Sequence, residues 1–274
     1  MSLLKFLKIR EVQQKFKEIF RFPSFPPKKD MLVIPLTENY ALVGGAFDYL
    51  LRFFIKYQYP EAIDRKWVAE TSLELIQSVS RKYPKYIPLY KQARKVVENA
   101  KKVYQKYLKK GKITDKLLRT TILLDQVESY YRTRFKYPHT IGVIDNRDIT
   151  DLRNLISIVS PTIFYPTRIC RLNPIFGKAS RLVRGADADL LIDDKIIEIK
   201  VSKYLRLFRD YFYQLLGYYT LYRIAYEENF IHQLGVYFAR HGYLYLFKIR
   251  DVVRENEFLD FKSWFIDKAF EVYG

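Results

Sequence analysis

Three acids and a lysine interrupt the apolar segments of the stretch GADADLLIDDKIIEIK, which covers residues 185–200. They are Asp187, Asp189, Glu198 and Lys200. Side chains alternate between the faces of a β-strand, so the two aspartates share one face, and the glutamate and the lysine share one. If residues 193–194 form a two-residue loop, Asp189 lies opposite Glu198, and the other two polar residues also oppose each other. The spacing therefore predicts that all four converge on one face of a β-hairpin.

Two carboxylates at this position need a neutralising partner. At a separation of about 5 Å between Cβ atoms they repel each other and are costly to desolvate. A divalent cation relieves both problems, and ligation by oxygen alone favours Mg²⁺ or Mn²⁺, to which the backbone carbonyl of Ile199 would add a ligand. An alternative stays open, in which the acids mark a solvent face and Asp187 pairs with Lys200 as an ordinary cross-strand ion pair.

A glutamine follows in the next predicted helix, within the segment YFYQLLGYYTLY. Gln214 and Tyr218 are four residues apart, so they share a helix face, and the rest of the segment is apolar enough to pack on a sheet. A packed glutamine needs a hydrogen-bond partner, and the polar face of the hairpin is the nearest candidate. The alternative is an amide at the edge of the core that bonds a backbone carbonyl.

These positions occur in a recognisable order: Asp189, a nine-residue step to Glu198, the E-I-K of residues 198–200, and the Q-L-L-G-Y of residues 214–218. The order resembles the PD-(D/E)XK nuclease superfamily, particularly its RecB-like branch with a Q-x-x-x-Y helix. The predicted succession of a helix, three strands, a helix and a strand is also similar to the core of that superfamily. The resemblance covers roughly residues 173–249. The hairpin, the spacing and the Q-x-x-x-Y helix together are more specific than E-x-K alone.

The resemblance implies a role for each of these residues. Asp189 and Glu198 would be metal ligands, and Lys200 would orient or activate the attacking water. Gln214 and Tyr218 would support the active site or the substrate. The implied activity is hydrolysis of DNA phosphodiester bonds with Mg²⁺ or Mn²⁺. A catalytically inactive nucleic-acid-binding protein that keeps the same fold is the alternative.

The motif does not by itself assign a role to two further acids, Asp187 and Asp48. Ala188 stands where the superfamily name has proline, so the participation of Asp187 stays open. Related nucleases often bring an acid from their first core helix to the metal, which makes Asp48 in GGAFDYLLR a candidate catalytic residue. If the helix begins near Ala46, however, Asp48 lies in its first turn, where an acid also interacts favourably with the helix dipole.

The charge of the chain favours a polyanionic partner. It contains 48 Lys and Arg against 30 Asp and Glu, which gives a formal net charge of +18. The positive residues are spread along the chain rather than gathered in a tail, and this is typical of nucleic-acid binding. Six of them flank the hairpin and are candidate phosphate contacts, with ordinary solvated charges as the alternative: Lys178, Arg181, Arg184, Lys203, Arg206 and Arg209.

The composition excludes several classes of protein. A single cysteine, Cys170, rules out an intramolecular disulfide framework and an iron-sulfur cluster held by four cysteines of this chain. No segment has the character of a signal peptide or of a membrane span, so we expect no membrane partner and a cytoplasmic location. The segment FGKAS at residues 176–180 is not a phosphate-binding loop, so we expect no motor within this chain. A homo-oligomer, or a helicase supplied by another chain, is a further candidate partner.

The elements that must position these residues form an α/β fold with a mixed central sheet flanked by helices. We expect one domain over residues 1–274, with a restriction-endonuclease-like core at about 31–60 and 163–274 and a large helical insertion at about 61–160. The first twenty residues predict an amphipathic helix, and FPSFPPKKD breaks it. Gly44 and Gly45 predict a turn before a helix from about Ala46 to Pro60.

Later segments complete the predicted core. TIFYPTRIC predicts a strand before the hairpin, and QLGVYFA and YLYLFKI predict a strand pair after it. A helix is expected from Thr150 to about Val159, a long one over residues 204–229, and a last one in FLDFKSWFIDKAFEVY. Neither exonuclease nor endonuclease action, nor DNA rather than RNA, follows from these residues.

Overall fold

A computed structural model of the chain describes residues 3–25, 29–226, 228 and 230–274. The chain divides into two compact units. The sheet unit comprises residues 1–30, 162–200 and 204–274, and the helical unit comprises residues 31–161 and 201–203. The sequence assigned residues 31–60 to the core that contains the sheet, whereas their contacts group them with the helices. Parts of the predicted first helix, linker and long helix, namely residues 1–2, 26–28, 227 and 229, lie outside the described residues.

The sheet unit is built on a mixed five-stranded sheet in the order β1-β2-β3-β4-β5. Its strands are β1 (Cys170–Leu172), β2 (Leu190–Ile192), β3 (Lys195–Lys200), β4 (Gln233–Phe238) and β5 (Tyr243–Lys248). β3 and β4 are parallel, and the other neighbours are antiparallel. The prediction of an α/β fold with a mixed sheet flanked by helices is confirmed at this level.

The helices of the described residues are α1 (Leu3–Phe6), α2 (Arg10–Ile19), α3 (Tyr40–Gln58), α4 (Val68–Lys82), α5 (Ile87–Lys110), α6 (Asp115–Thr133), α7 (Asn146–Ser157), α8 (Ala179–Leu182), α9 (Arg209–Ala225) and α10 (Glu255–Tyr273). In the described part of the chain, none of them has both the length and the apolar character needed to cross a membrane.

One face of the sheet packs against α9. Ile196 of β3 and Leu234 and Val236 of β4 are buried in the same cluster as Leu215 of α9. α2 and α10 add a layer of aromatic side chains behind α9, where the rings of Phe16 and Phe261 meet edge to face at 5.0 Å. Because side chains alternate along β3, the residues that share the face of Ile196 are Glu198 and Lys200. The fold therefore turns both of them toward α9.

The β2–β3 hairpin has the predicted two-residue loop. Ile192 pairs with Lys195, so residues 193–194 form the loop and the register is the one required for the polar residues to meet. Asp193 has a positive φ of 51°, which aspartate tolerates better than most residues. Its carboxylate accepts hydrogen bonds from the backbone N–H groups of residues 167–169 at 2.7–3.0 Å. The loop is therefore fixed to the chain that enters β1.

Asp193 should make a measurable contribution to stability. Partial burial raises the pKa of Asp193, but the hydrogen bonds from residues 167–169 outweigh it and lower the pKa to about 2. We expect Asp193→Ala to reduce the free energy of unfolding by about 2 kcal/mol, because it removes the acceptor and leaves alanine at positive φ. Asp193→Asn, which tolerates positive φ, should cost about half as much.

The contribution of Asp193 to stability should decrease in acid. A carboxylate with a lowered pKa stabilises the fold above its ordinary pKa of 3.8, and the contribution is lost as the pH falls toward 2. Thermal unfolding at pH 7 and at pH 2.5 measures the difference, with Asp194→Ala as the neighbouring control. Two results would contradict this role of Asp193. One is equal loss of stability in Asp193→Ala and Asp194→Ala, and the other is a loss of stability in Asp193→Asn that is as large at pH 2.5 as at pH 7.

In the helical unit, α6 lies against α3, α4 and α5. The prediction of a turn at Gly44 and Gly45 is wrong, because α3 begins at Tyr40 and continues through both glycines. The structure gives another reason for one of them. A Cβ atom at residue 45 would lie 1.9 Å from the Asp125 Oδ1 atom of α6. Gly45 therefore permits close helix packing rather than a change of chain direction.

Two other boundaries differ from the sequence prediction. Most of TIFYPTRIC is not a strand, because residues Pro161–Phe164 form a short 3-10 helix and β1 begins at Cys170. Prolines at 161 and 166 lack the N–H groups that a ladder requires. α7 begins earlier than Thr150, because Asp145 caps it by accepting a hydrogen bond from the N–H of Arg147.

Candidate functional site

Glu198 is the centre of a buried hydrogen-bonded network in the sheet unit. Its Oε1 atom accepts hydrogen bonds from Lys200 Nζ at 2.7 Å and from Gln214 Nε2 at 2.8 Å. Lys200 Nζ also donates to Gln214 Oε1 at 3.2 Å, and Gln214 Nε2 donates to Tyr218 Oη at 2.8 Å. Glu198, Gln214 and Tyr218 are each less than a tenth exposed. Four of the residues predicted from sequence are thus in contact.

Two residues of this network, Gln214 and Tyr218, lie on α9. Gln214 and Tyr218 are one turn apart and face the same side of the sheet as Glu198. The hydrogen bonds shown for the Gln214 amide are to side chains of the network, so the alternative of an amide bonded to a backbone carbonyl at the core edge is not what the structure has. A buried amide with several side-chain partners fixes the orientation of Glu198.

Asp189 precedes β2 and lies against the same segment of β3. Its Oδ2 atom accepts a hydrogen bond of 2.6 Å from the backbone N–H of Ile199. Its own carbonyl accepts from the N–H of Asn173 at 2.8 Å, which anchors Asp189 to the end of β1. The C=O of a strand residue points to the same side as its N–H, so the carbonyl of Ile199 is directed to the side on which Asp189 lies.

Lys200 is held as an ammonium ion. Burial lowers the pKa of Lys200, but the charges of Glu198 and Asp189 and the hydrogen bond to Glu198 outweigh it, so the pKa is raised above its ordinary value. The ion pair that the structure shows for Lys200 is with Glu198, not the cross-strand pair with Asp187. A lysine with a raised pKa is protonated at neutral pH and acts there by donating hydrogen bonds and by its charge.

Three acids contribute to the electrostatic surroundings of Tyr218. Burial raises the pKa of Tyr218 well above its ordinary value, and the charges of Glu198, Asp187 and Asp189 raise it further. Tyr218 is therefore a neutral phenol whose environment contains all three carboxylates. Asp187 itself is placed by a single β-bridge to Ile175, next to the chain that leads into α8.

The donor set suits a hard cation with few protein ligands. Among the described residues, no group of three or more His, Cys, Asp or Glu is arranged to hold a metal ion. Mg²⁺ usually takes one or two carboxylates and completes its shell with water and substrate phosphate. Asp189 and Glu198 with the carbonyl of Ile199 match that pattern, whereas they do not match a site made only of protein ligands.

Asp48 lies in the helical unit, eight residues after the start of α3. The prediction that it occupies the first turn of a helix is wrong, because that helix begins at Tyr40, and the helix-dipole interpretation no longer applies. Its Oδ2 atom pairs with Arg52 at 2.5 Å. Burial raises the pKa of Asp48, Arg52 lowers it, Glu128 raises it, and the net shift is upward. Its catalytic role stays a prediction.

The six basic residues predicted to contact phosphate are all exposed. Lys178, Arg181 and Arg184 lie in and around α8, and Arg184 donates to the carbonyl of Tyr273 at 3.2 Å. Arg206 and Arg209 precede and begin α9, and Lys203 belongs to the helical unit. Five of the six therefore lie on the chain segments that enter and leave the strands of the network, with Lys203 grouped apart from them.

Sequence reasoning missed two residues of the site. The Tyr211 ring lies 4.7 Å from Lys200 Nζ, in the geometry of a cation–π contact. Its position three residues before Gln214 on the same helix face was a signal that could have identified it. Asn173, which holds the carbonyl of Asp189, has a positive φ of 50° and gave no such signal.

A cavity of about 830 Å³ lies elsewhere in the sheet unit. Arg171, Leu191 and Tyr222 are among the residues that line it, and neither Glu198 nor Lys200 is. The network around Glu198 is therefore separate from this cavity.

Comparison of the chain with protein-family models, with curated proteins and with solved structures gave no match in any of the three. The site must therefore be interpreted from its own geometry and from the motifs of the sequence.

Proposed function

We propose that this protein is a metal-dependent nuclease that hydrolyses DNA phosphodiester bonds, and that its sheet unit is a PD-(D/E)XK core. One observation carries the proposal, namely the contact of Glu198 with Lys200 and Gln214 beside Asp189. Lys200 and Glu198 form an ion pair on a buried strand, where the cost of desolvation offsets much of the attraction, so stability alone gives only a weak reason for placing these charges there. The order of these residues in the sequence supports the same interpretation.

Asp189, Glu198 and the carbonyl of Ile199 would hold Mg²⁺ or Mn²⁺ in this proposal. When bound, the cation would stabilise the negative charge that develops on the phosphate and lower the pKa of water. Gln214 keeps the Glu198 carboxylate in one orientation by donating to its Oε1 atom. Lys200 lies beside that carboxylate as an ammonium ion, from which it can donate to the attacking water or to a phosphate oxygen.

The charge of the chain favours a nucleic acid as the substrate, and the resemblance to the nuclease superfamily implies DNA. A net charge of +18 attracts polyanions, and Lys178, Arg181, Arg206 and Arg209 are exposed on the segments that flank the network. These residues would bind phosphates without reading bases. RNA cleavage in preference to DNA cleavage would contradict the choice of substrate but not the reaction.

Asp189→Asn tests the metal site directly. We expect the wild-type protein to cut DNA only with Mg²⁺ or Mn²⁺, and to bind Mn²⁺ in a titration followed by electron paramagnetic resonance. The variant should bind Mn²⁺ at least tenfold more weakly and cut at least about 100-fold more slowly, since an amide replaces a charged ligand. Asp194→Asn, at the loop end of the same hairpin, is the matched control and should leave both unchanged.

Two outcomes would overturn the proposal. Wild-type protein that binds DNA but does not cut it with any divalent cation would favour the alternative, an inactive nucleic-acid-binding protein with this fold. Equal Mn²⁺ binding by wild type and by Asp189→Asn would show that the cation is held elsewhere.

A further inference from the structure

α5 of the helical unit carries five lysines along one line. They are Lys91, Lys95, Lys102, Lys106 and Lys109, and together we term them the lysine stripe. At 3.6 residues per turn these positions fall within an arc of about 60°, and they extend for about 27 Å along the helix axis. All five are exposed. The stripe is therefore a narrow, straight row of positive charge.

The packing of α5 fixes the direction in which the stripe faces. Ala93, Val97, Ala100 and Tyr107 are buried and lie on the opposite side of the helix. The apolar side of α5 packs against α4 and α6, and this packing keeps the lysines on the solvent side of the helix. An amphipathic helix needs a polar face, but nothing in that requirement makes every charge on one arc positive.

The acids nearest to the stripe form ion pairs with residues outside it. Glu98, the acid within α5, pairs with Arg94, and Glu70 pairs with Lys101. In the part of the chain that the structure describes, no ion pair includes a lysine of the stripe. Like charges one or two turns apart repel each other, so the row is unfavourable in the isolated protein and would be relieved by a polyanion.

The form of the stripe favours a duplex over a single strand. Surfaces that bind single-stranded nucleic acid combine positive charge with exposed aromatic rings on which bases stack. Within residues 91–109 of α5 the aromatic residues, Tyr104 and Tyr107, are buried, and Tyr90, just before the stripe, is half-buried and lies outside its arc. A row of ammonium groups whose aromatic neighbours are mostly buried is better suited to phosphates than to unpaired bases.

We propose that the lysine stripe binds the phosphate backbone of double-stranded DNA without sequence preference. This inference deepens the proposed function, since it names the form of DNA and a contact surface in the helical unit. It does not depend on catalysis, because binding can be measured when no divalent cation is present.

The test replaces all five lysines of the stripe by glutamine in the full chain. Glutamine has a helix propensity close to that of lysine, and circular dichroism and thermal unfolding verify the fold. Fluorescence anisotropy with a 30-base-pair duplex, in EDTA and over a series of salt concentrations, gives the affinity and its salt dependence. The matched control replaces five exposed lysines of the sheet unit by glutamine: Lys5, Lys8, Lys17, Lys29 and Lys248.

We expect the stripe variant to bind the duplex at least tenfold more weakly than the control near 100 mM salt. The slope of log affinity against log salt should become shallower by about two to four, since each phosphate contact contributes about 0.9. Equal weakening of variant and control would overturn the inference, because net charge alone would then explain binding. So would a loss confined to single-stranded DNA or to vesicles of anionic phospholipid.

The two proposals fail separately in these experiments. A wild-type protein that cuts DNA normally while the stripe variant binds like the control would refute the stripe alone. A wild-type protein that never cuts DNA, but whose duplex binding depends on the stripe, would refute the nuclease and leave the stripe in place.

Discussion

Glu198→Gln is expected to lower the rate of DNA cleavage in saturating Mg²⁺ by about 10³-fold or more. Glu198 would be both a metal ligand and the acceptor of hydrogen bonds from Lys200 and Gln214. Glutamine keeps the size of the side chain but removes its charge, and if its oxygen faced the metal its NH₂ group would take the place of Oε1 and face both donors. Groups that act together in one site lose most of the activity when one is removed.

The measurement is single-turnover cleavage of a labelled duplex, with Mn²⁺ binding followed in parallel. Glu18→Gln, an exposed glutamate on α2, is the control for the same chemical change and should cut at the wild-type rate. A Glu198→Gln protein that folds normally and retains more than a tenth of wild-type cleavage would show that the carboxylate is not a ligand in the reaction.

Lys200→Met should lower the cleavage rate by about 10²–10³-fold while leaving Mn²⁺ binding largely intact. The substitution keeps a long apolar side chain in contact with Tyr211 but removes the ammonium ion beside Glu198. The loss is that of a positioned donor near developing negative charge. Lys200→Arg, which keeps the charge with a different geometry, should recover part of the rate.

Lys195→Met separates this effect from a general loss of charge. Lys195 lies on the same strand, at its other end, and pairs with Asp194 as Lys200 pairs with Glu198. We expect it to cut DNA at nearly the wild-type rate. Lys200 would be a stabilising residue rather than a catalytic one if both variants lost activity in proportion to their loss of thermal stability.

The geometry of the hairpin could be predicted from sequence because it is local. Two strands joined by two residues admit one register, and the alternation of side chains then fixes which ones meet. The contact between Gln214 and Glu198 was also accessible, since a polar side chain in an apolar helix must find a partner nearby. Both inferences needed only spacing and burial.

Features that depend on distant packing could not be predicted in this way. Two adjacent glycines in a sequence can mark either a turn or a close contact between helices. Only the position of Asp125 on α6 shows why Gly45 is required. The grouping of residues 31–60 with the helices depends on contacts with α6 and α7, which are far away in sequence. The sequence pattern of α3 does not show which elements it contacts.

The parallel pairing of β3 with β4 has a consequence for the evolution of this site. Lys200 is aligned with Phe238, and each is the last residue of its strand. The connection from β4 to β5 therefore begins at the same end of the strands as Lys200. That connection is short and includes Arg240 and His241, both buried. Insertions between these two strands would change the surroundings of the network without changing any residue of the network itself.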